Sequence, residues 1–308
     1  MQKIHLKNGE SLQKAIDNAP ENSTIILEAR KYREKIKVSV NGLTIEGVNG
    51  SKIVYGDYAN NVHADGLEYN TFRTYSLIVT ASNVTLKNLE IENDAYSPKT
   101  KGQAVALSVY GDNFVGENLV LKSMQDTLFL GPLPDDLIHR YDGFLKDDER
   151  YVEGDLLSVF KNCKIYGSVD YIFGCGKAYF YACDFINIDD NRPIAYVTAP
   201  AHSLKQKDGF TFYKCNFLSD KDCLAEVFLA RPWRDYGKCV FIDCEISERI
   251  SPFGFDRWND THRNLTARFL YSGVDIKNPV DWSNKLSERD KTQSISKIMS
   301  LLEDLNLK

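Results

Sequence analysis

The hydrophobic pattern of the chain is dominated by short segments that suit β-strands. These segments are rich in Val, Ile, Phe, Tyr and Thr, and Asn, Gly and Asp separate them, as in strands joined by turns. Helical spacing is almost confined to the two ends, where Leu12 and Ile16 lie four positions apart and Ile298, Leu302 and Leu305 repeat at intervals of four and three. The pattern predicts an all-β fold with a short N-terminal helix and a C-terminal helix.

One phrase recurs within the β part: Phe, two variable positions, Cys, one variable position, then Ile or Phe. It places Cys163, Cys183, Cys215 and Cys244 at intervals of 20, 32 and 29 residues. Loosely repeated strands with variable insertions favour a parallel β-helix, in which coils stack and equivalent positions form ladders. We expect these cysteines to fill the coil interior as small apolar residues, because no CxxC pair and no zinc-type spacing is present.

The organisation along the chain indicates one domain. An open solenoid must cover its ends, and the amphipathic N-terminal helix suits that role. There is no Pro/Gly/Ser linker and no low-complexity tract, so we interpret residues 1–308 as a single domain with a loop insertion at 131–158. That stretch contains two prolines and many acidic residues, and a loop of that length in a compact domain is usually functional or mobile.

Composition narrows the classes of function. Of the 308 residues, 43% are hydrophobic and 26% are charged, as in an ordinary globular protein. The net charge of −5 argues against nucleic acid as a partner, because no basic stripe is available. No stretch approaches 18 apolar residues, so we expect no membrane partner. The first 20 residues contain no apolar h-region, so we expect a cytoplasmic protein with reduced thiols, unless a leader was replaced by Met1.

Four places interrupt the β pattern with polar groups between apolar ones. They contain Gln103, Gln125 with Asp126, Asp170, and Arg231 with Trp233. Each alone is most often a solvated turn residue or one bonded to backbone. Together they supply two amides, two carboxylates, a guanidinium and an indole, which a β-helix can place on one face. If residues 131–158 form a loop, Asp126 and Asp170 lie on neighbouring coils, roughly 4.8 Å apart.

Such a set suits acyl transfer at an ester. A carboxylate beside Arg231 stays ionised, because a close cation favours the charged form, and it can act as a nucleophile. A less compensated carboxylate can keep a proton near neutral pH and act as a general acid. Gln side chains can donate hydrogen bonds to an oxyanion, and an exposed Trp can stack on a sugar ring.

The segments "GQAVAL", "QDTL", "VDYIFG" and "LARPW" resemble, in the same order, the signature segments of the pectin methylesterases (pectinesterases, carbohydrate esterase family 8). The likeness covers most of the chain, from "SLQKAIDNAP" to "FGFDRWND". It implies a single-stranded right-handed parallel β-helix that removes the C6 methyl ester of galacturonate units, with no metal or other cofactor. The implied partner is methyl-esterified oligogalacturonide or pectin, and a cytoplasmic chain would meet imported oligosaccharides.

The resemblance also implies a role for each matching residue. Asp170 is similar to the nucleophile that attacks the ester carbonyl, and Asp126 is similar to the acid that protonates methanol and then activates water. Gln125, with Gln103, would stabilise the oxyanion, and Arg231 would orient Asp170 and keep it ionised. The residues implied for the walls of the sugar cleft are Trp233, Phe173, Val169 and Phe129.

Several positions depart from the family pattern without removing a chemical group. Arg30 stands where the early Gly-x-Tyr-x-Glu segment has Gly, although Tyr32 and Glu34 remain. The family's "LGRPW" appears here as "LARPW", with Ala230 in the Gly position. "DYIFG" has Tyr where Phe is usual, and Cys175 follows it where a small polar residue is common. The proposed chemistry is therefore complete in this chain.

Alternative interpretations stay open. The 131–158 insertion is longer than in plant-type members, so we expect it to form a wall or lid beside the cleft. A pectin lyase or a polygalacturonase would need a different cluster of Asp residues, and no histidine lies in a Ser-elbow context. A glycan-binding β-helix without turnover, or a related esterase acting on another ester, would use the same cleft. An Asp170 paired with Arg231 argues against pure binding.

Overall fold

The chain forms three long parallel β-sheets. The computed structural model describes residues 2–96, 98–138 and 156–307. Each coil passes in turn through sheets I, II and III, and its strands pair in parallel with equivalent strands of the coils before and after it. This arrangement confirms the predicted all-β class and the parallel β-helix.

The strands are numbered along the chain. Among the described residues, sheet I has eleven strands: β1 (Lys3–His5), β2 (Thr24–Ile26), β5 (Thr44–Glu46), β8 (Thr85–Lys87), β11 (Phe114–Glu117), β14 (Leu157–Lys161), β17 (Lys177–Tyr181), β20 (Phe210–Tyr213), β23 (Lys238–Ile242), β25 (Arg268–Ser272) and β26 (Asn284–Lys285). Sheet II has eight: β3 (Lys31–Tyr32), β6 (Lys52–Tyr55), β9 (Glu90–Asn93), β12 (Val120–Lys122), β15 (Lys164–Gly167), β18 (Asp184–Asn187), β21 (Asn216–Ser219) and β24 (Glu245–Ile246). Sheet III has seven: β4 (Ile36–Val38), β7 (Leu77–Val79), β10 (Leu107–Val109), β13 (Leu128–Leu130), β16 (Val169–Gly174), β19 (Ile194–Pro200) and β22 (Glu226–Ala230).

Helices are few and mostly short. The described part of the chain contains α1 (Leu12–Asp17), α2 (Pro98–Lys101), α3 (Asp135–Ile138) and α4 (Glu288–Asp304), with 3-10 turns at Thr71–Arg73 and Arg263–Leu265. None of these helices is long and apolar enough to cross a membrane.

An aromatic ladder fills the interior of the coils. Phe160, Phe180, Phe212 and Phe241, from successive strands of sheet I, stack with ring centroids 4.9 Å apart. This distance is close to the spacing between neighbouring strands, so the ladder follows from placing one Phe at the same point of each coil. All four rings are fully buried.

The cysteine ladder lies beside the aromatic one, as predicted. Cys163, Cys183, Cys215 and Cys244 are buried free thiols, and each Sγ donates to a carbonyl of the preceding coil. Burial raises the pKa of the first three well above the ordinary value, because an apolar interior disfavours a thiolate. The cysteines therefore have a packing role.

α1 closes the N-terminal end of the interior. Leu12 and Ile16 are fully buried in the same core as the coils. The Ser11 hydroxyl accepts from the Lys14 N–H at 3.3 Å, and the Glu34 carboxylate accepts from the Leu12 N–H at 2.9 Å. The predicted capping helix is confirmed, and Glu34 has a structural role at its N-terminus.

α4 lies against the outer face of sheet I. Its buried residues Ile298 and Leu302 form a cluster with outward-facing residues of five strands, from β11 to β23. Near its start, Lys291 Nζ lies 2.6 Å from Asp243 Oδ1. The predicted C-terminal helix is confirmed as an element, and it covers a sheet rather than an end of the solenoid.

The turns between sheets accept a backbone conformation that few residues adopt. Asn88 and Asn118, in consecutive turns between sheets I and II, have φ of 57° and 51°, and the Asn118 amide donates to Asn88 Oδ1 at 2.8 Å. Asn tolerates this left-handed region well. Where the chain passes from sheet II to sheet III, Asp126 and Asp170 have φ of 61° and 51°. The strained positions of that corner therefore have carboxylates.

Candidate active site

The polar residues singled out from the sequence meet at a cavity on the outer side of sheet III. Its volume is about 400 Å³. The lining residues are Asn70, Thr71, Phe72, Gln103, Gln125, Asp126, Leu137, Asp170, Phe173, Ala199, Arg231, Trp233, Arg234 and Trp258. Seven of the nine residues selected from the sequence are among them, and Val169 and Phe129 are not.

Backbone geometry at the corner between sheets II and III places the two aspartates side by side. Gln125 forms a parallel bridge with Val169 of the next coil, and the Asp126 N–H donates to the Val169 carbonyl at 3.1 Å. The pairing of β16 with β19 shifts register between Val169 and Ile172, around Asp170. Such an irregularity redirects a side chain out of the strand pattern, and a positive φ at a non-glycine residue stores strain that is typical of functional sites.

Asp170 forms a two-point ion pair with Arg231. The Nε and Nη2 groups of Arg231 donate to the two carboxylate oxygens at 2.8 Å and 2.6 Å. The side chains are only 10% and 14% exposed. Burial alone would lower the pKa of Arg231, but the adjacent Asp170 carboxylate raises it overall. This is the strong geometry of a charged pair out of bulk water.

The Arg231 guanidinium lies between two aromatic rings. Its central carbon is 3.8 Å from the centre of the Tyr196 ring and 4.1 Å from that of Trp258. The Tyr196 hydroxyl in turn donates to Asp256 Oδ2 at 2.9 Å. Stacking on both faces fixes the plane of the guanidinium, so the orientation of Asp170 is fixed as well.

Asp126 lies in a different environment from Asp170. Burial raises its pKa well above the ordinary value, and the neighbouring Asp170 carboxylate raises it further. Arg231, a hydrogen bond from Gln125 and the charge of Arg192 act in the opposite direction without reversing the shift. A neutral, protonated Asp126 beside an ion-paired Asp170 is therefore the favoured state.

Two side-chain amides face the same cavity from neighbouring coils. The Ala104 N–H donates to the Gln125 backbone carbonyl at 3.2 Å, which places Gln103 next to Gln125. Gln125 Oε1 accepts a hydrogen bond from Arg192 Nη1 at 3.1 Å. Both amides can donate to an oxygen that enters the cavity next to Asp170.

Phe173 and Trp233 form an apolar wall, with ring centroids 5.8 Å apart in an edge-to-face arrangement. Phe129 lies beneath Phe173, with centroids 5.0 Å apart, and is fully buried. Val169 is also buried. Neither of these two residues, predicted as weaker members of the sugar-cleft wall, lines the cavity. Phe129 supports the wall from below, and Val169 supports the turn at Asp126.

Sequence reasoning missed five residues that support the site. They are Tyr196, Asp256 and Trp258 around Arg231, and Asp190 and Arg192 behind Gln125. Trp258 and Asp256 both lie in the segment "FGFDRWND", which marks only the end of the family likeness. The others have no local signal, because their contacts depend on which strands pair across coils.

The structure describes only the two ends of the insertion at 131–158, and the first of these contributes to the cavity. Leu137 of α3 lines the cavity, and Asp136 accepts two-point hydrogen bonds from Arg234 at 2.7–3.1 Å. Residues 139–155, on which most of the predicted wall or lid falls, lie outside the described residues. Within residues 2–96, 98–138 and 156–307, no three His, Cys, Asp or Glu side chains are grouped to bind a metal ion.

Comparison with known proteins agrees with this geometry. The family model described as Pectinesterase matches residues 6–132 and 145–300. The chain is 27% identical over 270 residues to putative pectinesterase 14 of Arabidopsis thaliana, covering 86% of this chain and 71% of that protein. It is 28% identical over 304 residues to pectinesterase 1 of Olea europaea, covering 93% and 74%.

Solved structures share the fold. A pectin methylesterase from carrot superposes with a TM-score of 0.78 at 20% identity, covering 95% of this chain and 89% of that one. A pectin methylesterase in complex with a hexasaccharide gives 0.77 at 21% identity, covering 96% of both chains. Because the family model matches most of the chain, this protein belongs to the pectinesterase family and is an enzyme with pectin methylesterase activity.

Proposed function

We propose that the cavity hydrolyses the C6 methyl ester of galacturonate units in pectin or pectic oligosaccharides, giving a free carboxylate and methanol. The observation that carries the proposal is the pair of unlike aspartates in one cavity: Asp170 is ion-paired with Arg231, whereas burial raises the pKa of Asp126. The related enzyme in complex with a hexasaccharide supports a pectic chain as the ligand.

In the first half of the reaction, a carboxylate oxygen of Asp170 attacks the ester carbonyl carbon. The electron pair of the C=O bond moves to the oxygen, which accepts hydrogen bonds from the amides of Gln125 and Gln103. The tetrahedral species then breaks its bond to the methoxy group, and Asp126 transfers its proton to the methoxy oxygen. Methanol leaves, and an anhydride joins Asp170 to the sugar carboxyl group.

In the second half, water replaces methanol. Asp126, now a carboxylate, takes a proton from the water while the water oxygen attacks the sugar carbonyl carbon of the anhydride. The same amides stabilise the second oxyanion. Breakdown restores the Asp170 carboxylate beside Arg231 and releases the sugar as its carboxylic acid, which then loses the second proton of the water to solvent. Asp126 has by then regained its own proton.

Methanol release from methyl-esterified oligogalacturonides of defined length tests the proposal. We expect Asp170→Asn to lower the rate by about 10⁴-fold or more, as removal of a nucleophile does in other enzymes. Asp184→Asn, which changes a carboxylate on sheet II away from the cavity, is the matched control and should keep its activity. Activity retained in Asp170→Asn would overturn the nucleophile assignment. If wild-type protein released no methanol from oligomers of any length, the proposed substrate would be wrong and another ester would be favoured.

A further inference from the structure

The segment between β18 and β19 brings a charged pair up behind Gln125. Arg192 Nε donates to Asp190 Oδ2 at 2.6 Å, and its Nη2 also pairs with that oxygen. Asp190 has a side chain only 3% exposed, and it accepts from the Ser168 hydroxyl and, at 3.0 Å, from the Arg192 N–H. The remaining arm of the guanidinium, Nη1, points to Gln125 Oε1 at 3.1 Å. The pair therefore connects a buried carboxylate to a residue of the active site.

The two ends of a Gln side-chain amide have the same shape and opposite hydrogen-bonding sense. The oxygen accepts, the nitrogen donates, and a half-turn of the amide exchanges them at almost no steric cost. Only the nitrogen end can stabilise a developing oxyanion, because an oxygen end would repel it. An arginine has five donors and no acceptor, so Arg192 can bind only the oxygen end of Gln125. The NH₂ group is then directed to Asp126 and the cavity.

A purely structural role explains the arrangement poorly. The Arg192 side chain is 29% exposed and Asp190 is 3% exposed, so Arg192 also compensates a buried carboxylate. The Nε and Nη2 groups already fulfil that role, which leaves the contact of Nη1 with Gln125 unexplained. That contact spans 67 residues and two coils, and it meets the amide at the oxygen atom. Stability alone does not require that atom to be the partner of a cation.

We propose that Arg192, fixed by Asp190, is a positioning residue that selects the amide orientation in which Gln125 presents its NH₂ group to the oxyanion. The inference rests on the proposed ester hydrolysis. It deepens that proposal, because it explains the orientation of the Gln125 amide by the charge of Arg192, a residue outside the cavity lining.

The main test compares Arg192→Met and Arg192→Lys with wild type in methanol release from a methyl-esterified oligogalacturonide. Loss of one oxyanion donor typically lowers kcat by about 10²–10³-fold. An amide that is free to rotate presents its NH₂ group only part of the time, so it should cause a smaller loss. We therefore expect Arg192→Met to lower kcat by about 10- to 100-fold with KM changed less than about twofold. Arg192→Lys should recover most of the rate, because an ammonium also only donates.

Two controls separate positioning from general damage. Arg249→Met removes an exposed arginine outside the cavity and should leave kcat unchanged. In a Gln125→Ala background, Arg192→Met should have no further effect, because residues acting through one contact are not additive. The same fold-loss in both backgrounds, or an unchanged kcat in Arg192→Met, would overturn the proposal.

A readout without turnover keeps the inference testable if wild-type protein releases no methanol. In protein labelled with ¹⁵N at Gln side chains, the Gln125 amide signals are identified by their loss in Gln125→Ala. We expect one sharp NH₂ pair in wild type and in Arg192→Lys, and a broadened or doubled pair in Arg192→Met. An unchanged pair in Arg192→Met would contradict the orienting role, whatever the substrate is.

Discussion

The two carboxylates of the cavity differ because their nearest neighbours differ. Asp170 receives two N–H groups from a guanidinium that is stacked between aromatic rings. Asp126 is buried beside that pair, and burial raises its pKa well above the ordinary value. Two groups of the same chemical type thus favour different charge states, one ionised and one neutral, as the proposed nucleophile and general acid require.

The raised pKa of Asp126 predicts a pH-dependent cost to stability. Below the unfolded-state pKa, near 4, the carboxyl is protonated in both states and costs nothing. As the pH rises toward the folded-state pKa, the unfolded chain loses its proton first, so the wild-type fold loses about 1.4 kcal/mol for each unit between the two pKa values. Asp126→Asn cannot titrate and avoids this loss. We therefore expect the free energy of unfolding of Asp126→Asn minus that of wild type to be more positive at pH 8 than at pH 4. Urea titrations at the two pH values measure this difference.

Asp170→Asn provides the contrast for that measurement. It leaves the largely buried Arg231 without its ionic partner, which typically costs about 3 kcal/mol. The variant should be less stable than wild type at pH 8, the opposite sign to Asp126→Asn. A stability difference between Asp126→Asn and wild type that is the same at pH 4 and pH 8 would contradict the assignment of a raised pKa.

At the scale of elements, the described residues form three hydrophobic clusters: one inside the coils, one under α4 and a third, with Phe129 and Phe173, beneath the cavity. Phe and Cys side chains stack within the coils, whereas α4 packs on the outer face of sheet I. The active site lies on the outer side of sheet III. Packing at α4 and chemistry at the cavity are therefore on different faces.

This separation predicts that damage to α4 lowers stability without changing catalysis in the folded protein. Leu302 is 1% exposed, and truncation of a buried Leu to Ala usually costs about 2–5 kcal/mol. We expect Leu302→Ala to lower the free energy of unfolding by that amount while kcat stays within about twofold at 25 °C. Leu224→Ala, at a residue that is 72% exposed, should change stability by less than about 0.5 kcal/mol. A kcat that falls in step with stability would show that the two faces are coupled.

The elements could be predicted from the sequence because they leave a local signal. Alternating apolar strands, the recurring Cys phrase and the helical spacing of Ile298 and Leu302 each depend on neighbours along the chain. The pairing of Val169 with Tyr196 across coils does not, since the coils differ in length. Tyr196 and Arg192 were missed for that reason. The burial of Phe129 could not be predicted either, because the rings that cover it come from other coils.

At the scale of the whole molecule, charge argues for a preference among substrates. The net charge is −5, so the overall field repels a polyuronate. Three arginines at the cavity or directly behind it each pair with a carboxylate: Arg231 with Asp170, Arg234 with Asp136 and Arg192 with Asp190. We therefore expect the cleft to bind a neutral methyl-esterified sugar better than a free uronate.

The charge balance predicts a salt effect that depends on the degree of methylation. Raising the ionic strength from about 0.01 M to 0.15 M shortens the screening length from about 30 Å to 8 Å. Repulsion of partly de-esterified oligomers should weaken, so their kcat/KM should rise several-fold. Fully methylated oligomers of the same length, the matched control, should change by less than about twofold. An equal response from both substrates would contradict a charge-based preference.

The position of α4 also affects how the molecule opens. In a solenoid each coil contacts only its neighbours, so coils can separate one at a time from the ends. α4 belongs to one apolar cluster with strands from β11 to β23, so opening any of these coils disrupts that cluster. The backbone amides of this block should therefore share one slow rate of exchange with deuterium, as a single cooperative unit. The strained corner at Asp126 and Asp170 belongs to coils of this block, so it is protected from fraying that begins at either end.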